Sequence, residues 1–309
     1  MKQKDANTLM NKLNIGKHTN LNMKDEFQFE CTSCGKCCLN NTVLLNCYDI
    51  IRLRHGLKFS TTQILQSGLI SFNIGPHSGL PVCTLSFQEL SDGFAKCPFL
   101  SPSINKREIK SKSELRRLTT MGGKINKWLC SVHNDRPINC RLYPCGRIKS
   151  VNKVTGKISN KFILQNLDGL CPGFKEKKKQ TLSQYLKESE FKHYDEGSSG
   201  FASLMKILDD ENFFVATKDN DGKGKLDINS KTFLILSNIM YNFDSFNYFS
   251  NDPGVLKTIN DPKATQKDFM YVSDKIKTLI IHLTKLFKKY NGDDNAIMEV
   301  INNIPTEGN

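Results

Sequence analysis

The chain has 309 residues, room for one large domain or two smaller ones. Apolar residues make up 38% and charged residues 24%, with 19 Phe, 8 Tyr and one Trp, which excludes a wholly disordered chain. The net charge of +13 is concentrated: residues 101–180 hold 19 Lys and Arg against 5 Asp and Glu, while the remainder holds 25 against 26. A basic middle of this kind fits either an anionic partner, nucleic acid included, or Lys-rich loops kept soluble by charge.

In chain order, residues 1–26 are polar, rich in Asn and Lys, and lack the apolar centre of a secretory signal, so they read as a flexible leader. After Asn46, a good cap, YDIIRLRHG predicts a helix ending at Gly56, and Ser60-Thr-Thr-Gln63 predicts a capping box opening a second helix that stops at Gly68. PVCTLSFQ and FAKCPFL predict short strands around Ser91-Asp92-Gly93, and residues 146–164 a hairpin turning near Thr155-Gly156. KEKKKQ (175–180) reads as a charged junction. From Thr181 the chain reads as mostly helical, with helices at 230–243 and 266–290. In the second, Phe269, Val272, Ile276, Leu279, Ile280, Leu283, Leu286, Phe287 and Tyr290 form one apolar face. The expected architecture is therefore α+β. A flexible leader (1–26) precedes a small irregular cysteine-rich metal-binding domain with short strands and helices (27–174), and a mostly α-helical C-terminal region (181–309) follows. No apolar stretch approaches the roughly 20 residues that span a bilayer, so the expectation is a soluble, cytosolic protein without a membrane.

Eleven cysteines fall at 31, 34, 37, 38, 47, 83, 97, 130, 140, 145 and 171. An odd count without a signal peptide argues against a disulfide framework. In Phe29-Glu-Cys31-Thr-Ser-Cys34-Gly-Lys-Cys37-Cys38, two-residue gaps let a tight turn aim successive thiolates at one metal, and Gly35 lets the backbone approach closely. The C-x-x-C-x-x-C run also has the spacing that wraps one corner of an iron–sulfur cubane, whose distant ligand is often followed by proline, as in Cys171-Pro172. Adjacent Cys37 and Cys38 point in different directions, which suggests a second site or a second role for Cys38. Cys97-Pro-Phe-Leu, Cys130-Ser-Val-His133, Arg136-Pro-Ile-Asn-Cys140-Arg-Leu-Tyr-Pro144 and Cys171-Pro-Gly-Phe sit in loops or at element ends, with Pro137 suited to the first turn of a helix presenting Cys140.

In this order the pieces resemble the YkgJ-type cysteine-cluster family, described as zinc- or iron-chelating, whose cluster flagellin lysine N-methylase also carries. The resemblance covers roughly residues 27–174. It implies that Cys31, Cys34, Cys37, Cys38, Cys97, Cys130, Cys140 and Cys171 are the metal-site cysteines. Cys47, Cys83 and Cys145 have no counterpart in the pattern and read as ordinary buried thiols. Two departures stand out: His133, where the family has Tyr, becomes a candidate ligand at C-x-x-H spacing, and the span from Cys97 to Cys130 carries a basic insert near 103–127.

An all-thiolate set suits an iron–sulfur cluster or zinc, with the ferredoxin-like run and Cys-Pro favouring iron–sulfur. The leading expectation is a metal-binding protein. One alternative is a protein lysine N-methylase using S-adenosylmethionine, though no catalytic residue can be named. Another is a nucleic-acid binder with structural metal, for which the aromatics of the basic window (Trp128, Tyr143, Phe162, Phe174) are sparse. A radical S-adenosylmethionine motif needs a first gap one residue longer. No dinucleotide fingerprint, P-loop or nucleophile elbow is present. Asp219 opens an EF-hand-like stretch, but Lys223 at its fifth position and Ser230 at its twelfth would repel or fail to hold calcium, so it reads as a Gly-rich turn. His282 falls within a helix, and Arg136 and Arg141 flank Cys140 as either cluster-stabilising or loop-fixing charges.

Overall fold

The computed structural model describes residues 18–74, 81–90, 94–102, 128–151, 158–165, 171–198, 217–218, 224–225 and 231–289. It is α+β, with helices and several small antiparallel sheets. The chain divides into two interleaved compact units. Residues 1–41, 87–133 and 138–191 make the first; residues 42–86, 134–137 and 192–309 make the second. The expected linear order of leader, cysteine domain and helical region is thus cut differently: Cys47 and Cys83 share a unit with the C-terminal helices.

The first unit is built on a three-stranded sheet in which Ile158–Gln165 lies between His18–Leu21 and Cys145–Val151. The hairpin predicted over 146–164 is present, and its turn lies outside the described residues. Residues 18–26 depart from the expected leader: His18–Leu21 is an edge strand with Leu21 buried, and Glu26–Gln28 pairs with Lys179–Thr181. That pairing also absorbs the expected junction at 175–180. Gln180 is buried and donates from Nε2 to the Phe29 carbonyl at 2.8 Å, so this charged stretch is ordered by one polar residue turned inward. Two further ladders, Gln88–Glu89 with Ala95–Lys96 and Leu100–Pro102 with Trp128–Cys130, carry the Cys97 and Cys130 segments.

In the second unit, the helix Cys47–Leu57 opens with a capping box in which Asn46 accepts from the Asp49 N–H and Asp49 accepts from the Asn46 N–H, both at 3.0 Å. It runs one residue past the predicted stop, because Lys58 (φ 59), not Gly56, takes the left-handed cap conformation. The Ser60–Gln63 capping box is present, and Thr61–Gln66 ends just before Gly68 (φ 72). A second small sheet orders Pro81–Leu85 between Leu44–Leu45 and Ile70–Ile74. The helices Lys231–Tyr241 and Gln266–Lys289 lie where periodicity places them, with Phe269, Val272, Ile276 and Leu279 buried and His282 exposed. Thr217–Lys218 pairs with Gly224–Lys225, and the EF-hand-like residues between and after them lie outside the described residues.

Arg54 grips Asp244 with two nitrogens, at 2.7 and 2.8 Å, and the Thr61 N–H adds a bond of 2.6 Å to the same carboxylate. Burial pushes the Asp244 carboxyl up, but the Arg54 and Thr61 hydrogen bonds and the Arg54 charge outweigh it and hold it below the ordinary 3.8. A group depressed on folding contributes stability that is full above its unfolded value and is lost as pH falls through its folded one. Thermal melts from pH 6 downward are expected to show a loss that steepens below about pH 4, and Asp244→Asn should make that loss shallower. An unchanged acid slope in the variant would contradict this role.

Candidate metal centre

All eight candidate ligands lie in the first unit. The loop carrying Cys31, Cys34, Cys37 and Cys38 is shaped by its backbone. Ser33 (φ 55) and Gly35 (φ 72) both take the left-handed region, and Lys36–Cys38 is a single 3-10 turn. Three hydrogen bonds stitch this loop to the segments bearing the distant cysteines. The Glu30 N–H donates to the Gly173 carbonyl at 3.0 Å, two residues from Cys171. The Trp128 N–H donates to the Ser33 carbonyl at 2.7 Å, two residues from Cys130. The Cys97 N–H donates to the Cys38 carbonyl itself at 2.9 Å. Cys140 is presented by the short helix Ile138–Leu142, which follows Pro137 as the sequence suggests.

Beneath the loop, Phe29 packs edge-on to Tyr143 and Tyr185 and tilted against Phe174, with centroids 5.3–6.3 Å apart. The Tyr185 hydroxyl hydrogen-bonds the Tyr143 carbonyl, and the Tyr143 hydroxyl hydrogen-bonds Cys171. Tyr143 stands inside Arg136-Pro-Ile-Asn-Cys140-Arg-Leu-Tyr-Pro144, but only the fold brings its hydroxyl to a candidate ligand.

The thiols act on one another. The Cys38 thiol is pushed far up, first by its hydrogen bond with Cys37 (Sγ to Sγ 3.8 Å), then by burial, then by the charges of Cys37, Cys97 and Cys140. Cys97 is raised by burial, with Cys130 and Cys37 adding to it while the Phe99 and Leu100 N–H groups oppose. Cys171 is raised by burial and by Cys34 and Cys37, against the Gly173 N–H and the Tyr143 hydroxyl. The other three cysteines behave differently. Burial pushes Cys145 up to about 12 on its own, and it pushes up Cys47, to about 12, and Cys83 with Asp49 as the neighbouring charge.

Cys31 is exposed at the outer end of the motif, and His133 is exposed. Arg141 is buried and pairs with Glu190 at 2.7 Å, so at least part of its charge is spent on the fold. Among the described residues, no three His, Cys, Asp or Glu side chains are arranged to hold a metal ion as they stand. Apart from Cys31, the candidate thiols act on one another without being closed around a point.

No protein-family model, curated protein or solved structure matches the chain. What the chain can do has to be read from the thiols themselves. Mutually repelling thiols keep their protons near neutral pH, and a soft cation that displaces those protons relieves the repulsion. A sulfur-only donor set fits zinc or an iron–sulfur cluster and disfavours magnesium or calcium. Inside the motif, Thr32 Oγ1 is buried and has no hydrogen-bond partner among the described residues.

Proposed function

We propose that the chain is a metal-binding protein of the reducing cytosol whose centre is ligated by thiolates drawn from Cys31, Cys34, Cys37, Cys38, Cys97, Cys130, Cys140 and Cys171. One observation carries this reading. The Cys31–Cys38 loop is tied by backbone hydrogen bonds to the segments that carry Cys97, Cys130 and Cys171, with Cys97 N–H on the Cys38 carbonyl at 2.9 Å, Trp128 N–H on the Ser33 carbonyl at 2.7 Å and Glu30 N–H on the Gly173 carbonyl at 3.0 Å, whereas Cys47, Cys83 and Cys145 are buried elsewhere in the fold. Iron–sulfur is favoured over zinc by the C-x-x-C-x-x-C spacing and by Cys171-Pro172. The resemblance to the YkgJ-type family points the same way. When bound, the centre supplies folding free energy to a unit of short strands and, as a cluster, a site for electron transfer. Among the described residues no helix is long and apolar enough to cross a membrane.

Metal removal tests the reading. Chelation under anaerobic, reducing conditions is expected to open the first unit to limited proteolysis around residues 29–38, 94–102, 128–133 and 138–142, before cleavage appears in the helix Gln266–Lys289. Identical digestion patterns with and without chelator would count against it.

A further inference from the structure

We infer that Cys37 and Cys38 form a redox-active pair, closed to a vicinal disulfide by a peroxide and reopened by a small thiol. The inference goes beyond the metal-centre reading and holds for the chain with or without a bound metal.

Adjacent side chains ordinarily diverge, and the sequence suggests separate roles for these two. The fold brings them together: their sulfurs stand 3.8 Å apart. The turn Lys36–Cys38 that does this is pinned at each end. Gly35 enters it at φ 72, with Trp128 packed where a Cβ would stand, and Leu39 leaves it in extended conformation, bridged to Lys96. Within the turn, the Cys38 N–H donates to the Gly35 carbonyl at 3.0 Å and Asn41 Nδ2 donates to the Cys37 carbonyl at 3.1 Å. The Cys38 carbonyl is held in turn by the Cys97 N–H at 2.9 Å. Both cysteines are half-buried, within reach of a small oxidant, whereas Cys47, Cys83 and Cys145 are buried.

The chemistry follows from the contact. Hydrogen peroxide oxidises one thiol to the sulfenic acid, its O–O bond breaking and one oxygen leaving as water. The neighbouring sulfur attacks the sulfenic sulfur, the S–S bond forms and the second oxygen leaves as water. Two thiols lose two electrons and two protons, and the peroxide takes up both. A trans peptide fixes adjacent Cα atoms about 3.8 Å apart, short of the roughly 4.4–6.8 Å of relaxed disulfides, so the ring is strained and readily reduced. The strain falls on the Cys37-Cys38 peptide, whose N–H and carbonyl are the groups held by Gly35 and Asn41. Closing the pair therefore loosens the loop that carries Cys31 and Cys34. Where the thiols hold metal, closure also withdraws two candidate ligands, and that consequence alone rests on the metal-centre reading.

Peptide mapping of the full-length protein, purified without oxygen and with its bound metal counted, is the test. After hydrogen peroxide treatment, denaturation and blocking of the remaining thiols with N-ethylmaleimide, trypsin cuts after Lys36 and Arg52 and releases one peptide that carries Cys37, Cys38 and Cys47. Its major oxidised form is expected to lack two hydrogens, with N-ethylmaleimide on Cys47 alone. Dithiothreitol added before blocking is expected to restore three blocked thiols. In Cys37→Ser and Cys38→Ser, which lack the second sulfur, the remaining thiol is expected to go on to the sulfinic acid, which dithiothreitol does not reverse. A peptide joined mainly to Cys97, Cys140 or another segment, or sulfinic acid in wild type at the level of the variants, would overturn the pair. So would an equal yield of the two-hydrogen loss in concentrated urea, where the turn is gone. Protein that holds no iron or zinc yet closes the pair supports this inference and overturns the metal-centre reading. Should a serine variant fail to fold, the wild-type maps, native against urea, decide the matter.

Discussion

Asp135→Ala is expected to lower the free energy of unfolding by about 3–5 kcal/mol, because it removes the one carboxylate shared by two buried basic side chains. Arg52 reaches Asp135 at 2.8 Å and His55 Nδ1 reaches it at 3.0 Å, while His55 Nε2 faces the Asp261 carbonyl at 2.9 Å. Arg52 and His55 side chains are only 12% and 11% exposed, so solvent screens neither well once the acid is gone. The ring of Phe269 packs against both: the His55 imidazole stands edge-on to it at 5.1 Å and the Arg52 guanidinium lies over it at 3.8 Å. Those contacts keep the guanidinium and the imidazole fixed in place, so the variant cannot simply swing them into water. Urea unfolding measures the effect. Asp135→Asn, which keeps the shape and two hydrogen-bonding groups, should lose less, and Lys192→Ala, which breaks an exposed pair of 3.7 Å, should lose nothing measurable. A loss for Asp135→Ala no larger than that of Lys192→Ala would mean the network is not structural.

Gly35→Ala should be the most damaging single-methyl change in the motif, at about 3 kcal/mol, and should weaken metal retention with it. Two costs add. A side chain at φ 72 strains the backbone by about 1–2 kcal/mol, and the new Cβ would meet Trp128 Cβ at 2.8 Å and Leu100 Cδ1 at 3.3 Å. Trp128 and Leu100 belong to the ladder that carries Cys130, so relief of the clash moves a candidate ligand. Gly68 is the control: it has the same φ of 72, but nothing lies within 4 Å of an added Cβ, so Gly68→Ala isolates the backbone term. Thermal melts and bound-metal counts on both variants check this, and equal losses in the two would remove the packing part of the account.

Much of the fold was legible where a local rule decides structure. Asn46 with Asp49 and Ser60 with Gln63 announce helix starts through side chains that satisfy free N–H groups, and both boxes form. The three- and four-residue spacing of Phe269, Val272, Ile276 and Leu279 announces a buried face, and all four are buried. What stayed hidden depends on pairing across long stretches of chain. HTNL at 18–21 looks like polar leader because its partner, Ile158–Gln165, lies some 140 residues on. Gln180 sits in a run of lysines and gives no sign that it will turn inward to the Phe29 carbonyl. The regrouping of residues 42–86 with the C-terminal helices has the same origin, since composition reports which residues are near in sequence and says nothing about long-range contact.

For the candidate centre, spacing identified the thiols and left their grouping open. C-x-x-C and Cys-Pro patterns mark residues able to bind metal, whereas the ties between the 31–38 loop and the segments bearing Cys97, Cys130 and Cys171 are backbone hydrogen bonds that no spacing announces. The Tyr143 hydroxyl on Cys171 was equally out of reach, because it depends on an aromatic stack of Phe29, Phe174 and Tyr185 assembled from three separate segments.

Quantifying iron, zinc and acid-labile sulfide in protein purified without oxygen, together with its visible spectrum, bears most directly on the thiolate centre. The account predicts at least about one equivalent of iron or zinc per chain, with brown colour and a broad absorption near 400 nm that bleaches in air if iron predominates. Fewer than about 0.2 equivalents of iron and zinc combined, in folded protein whose cysteines all react freely with a thiol reagent, would contradict it.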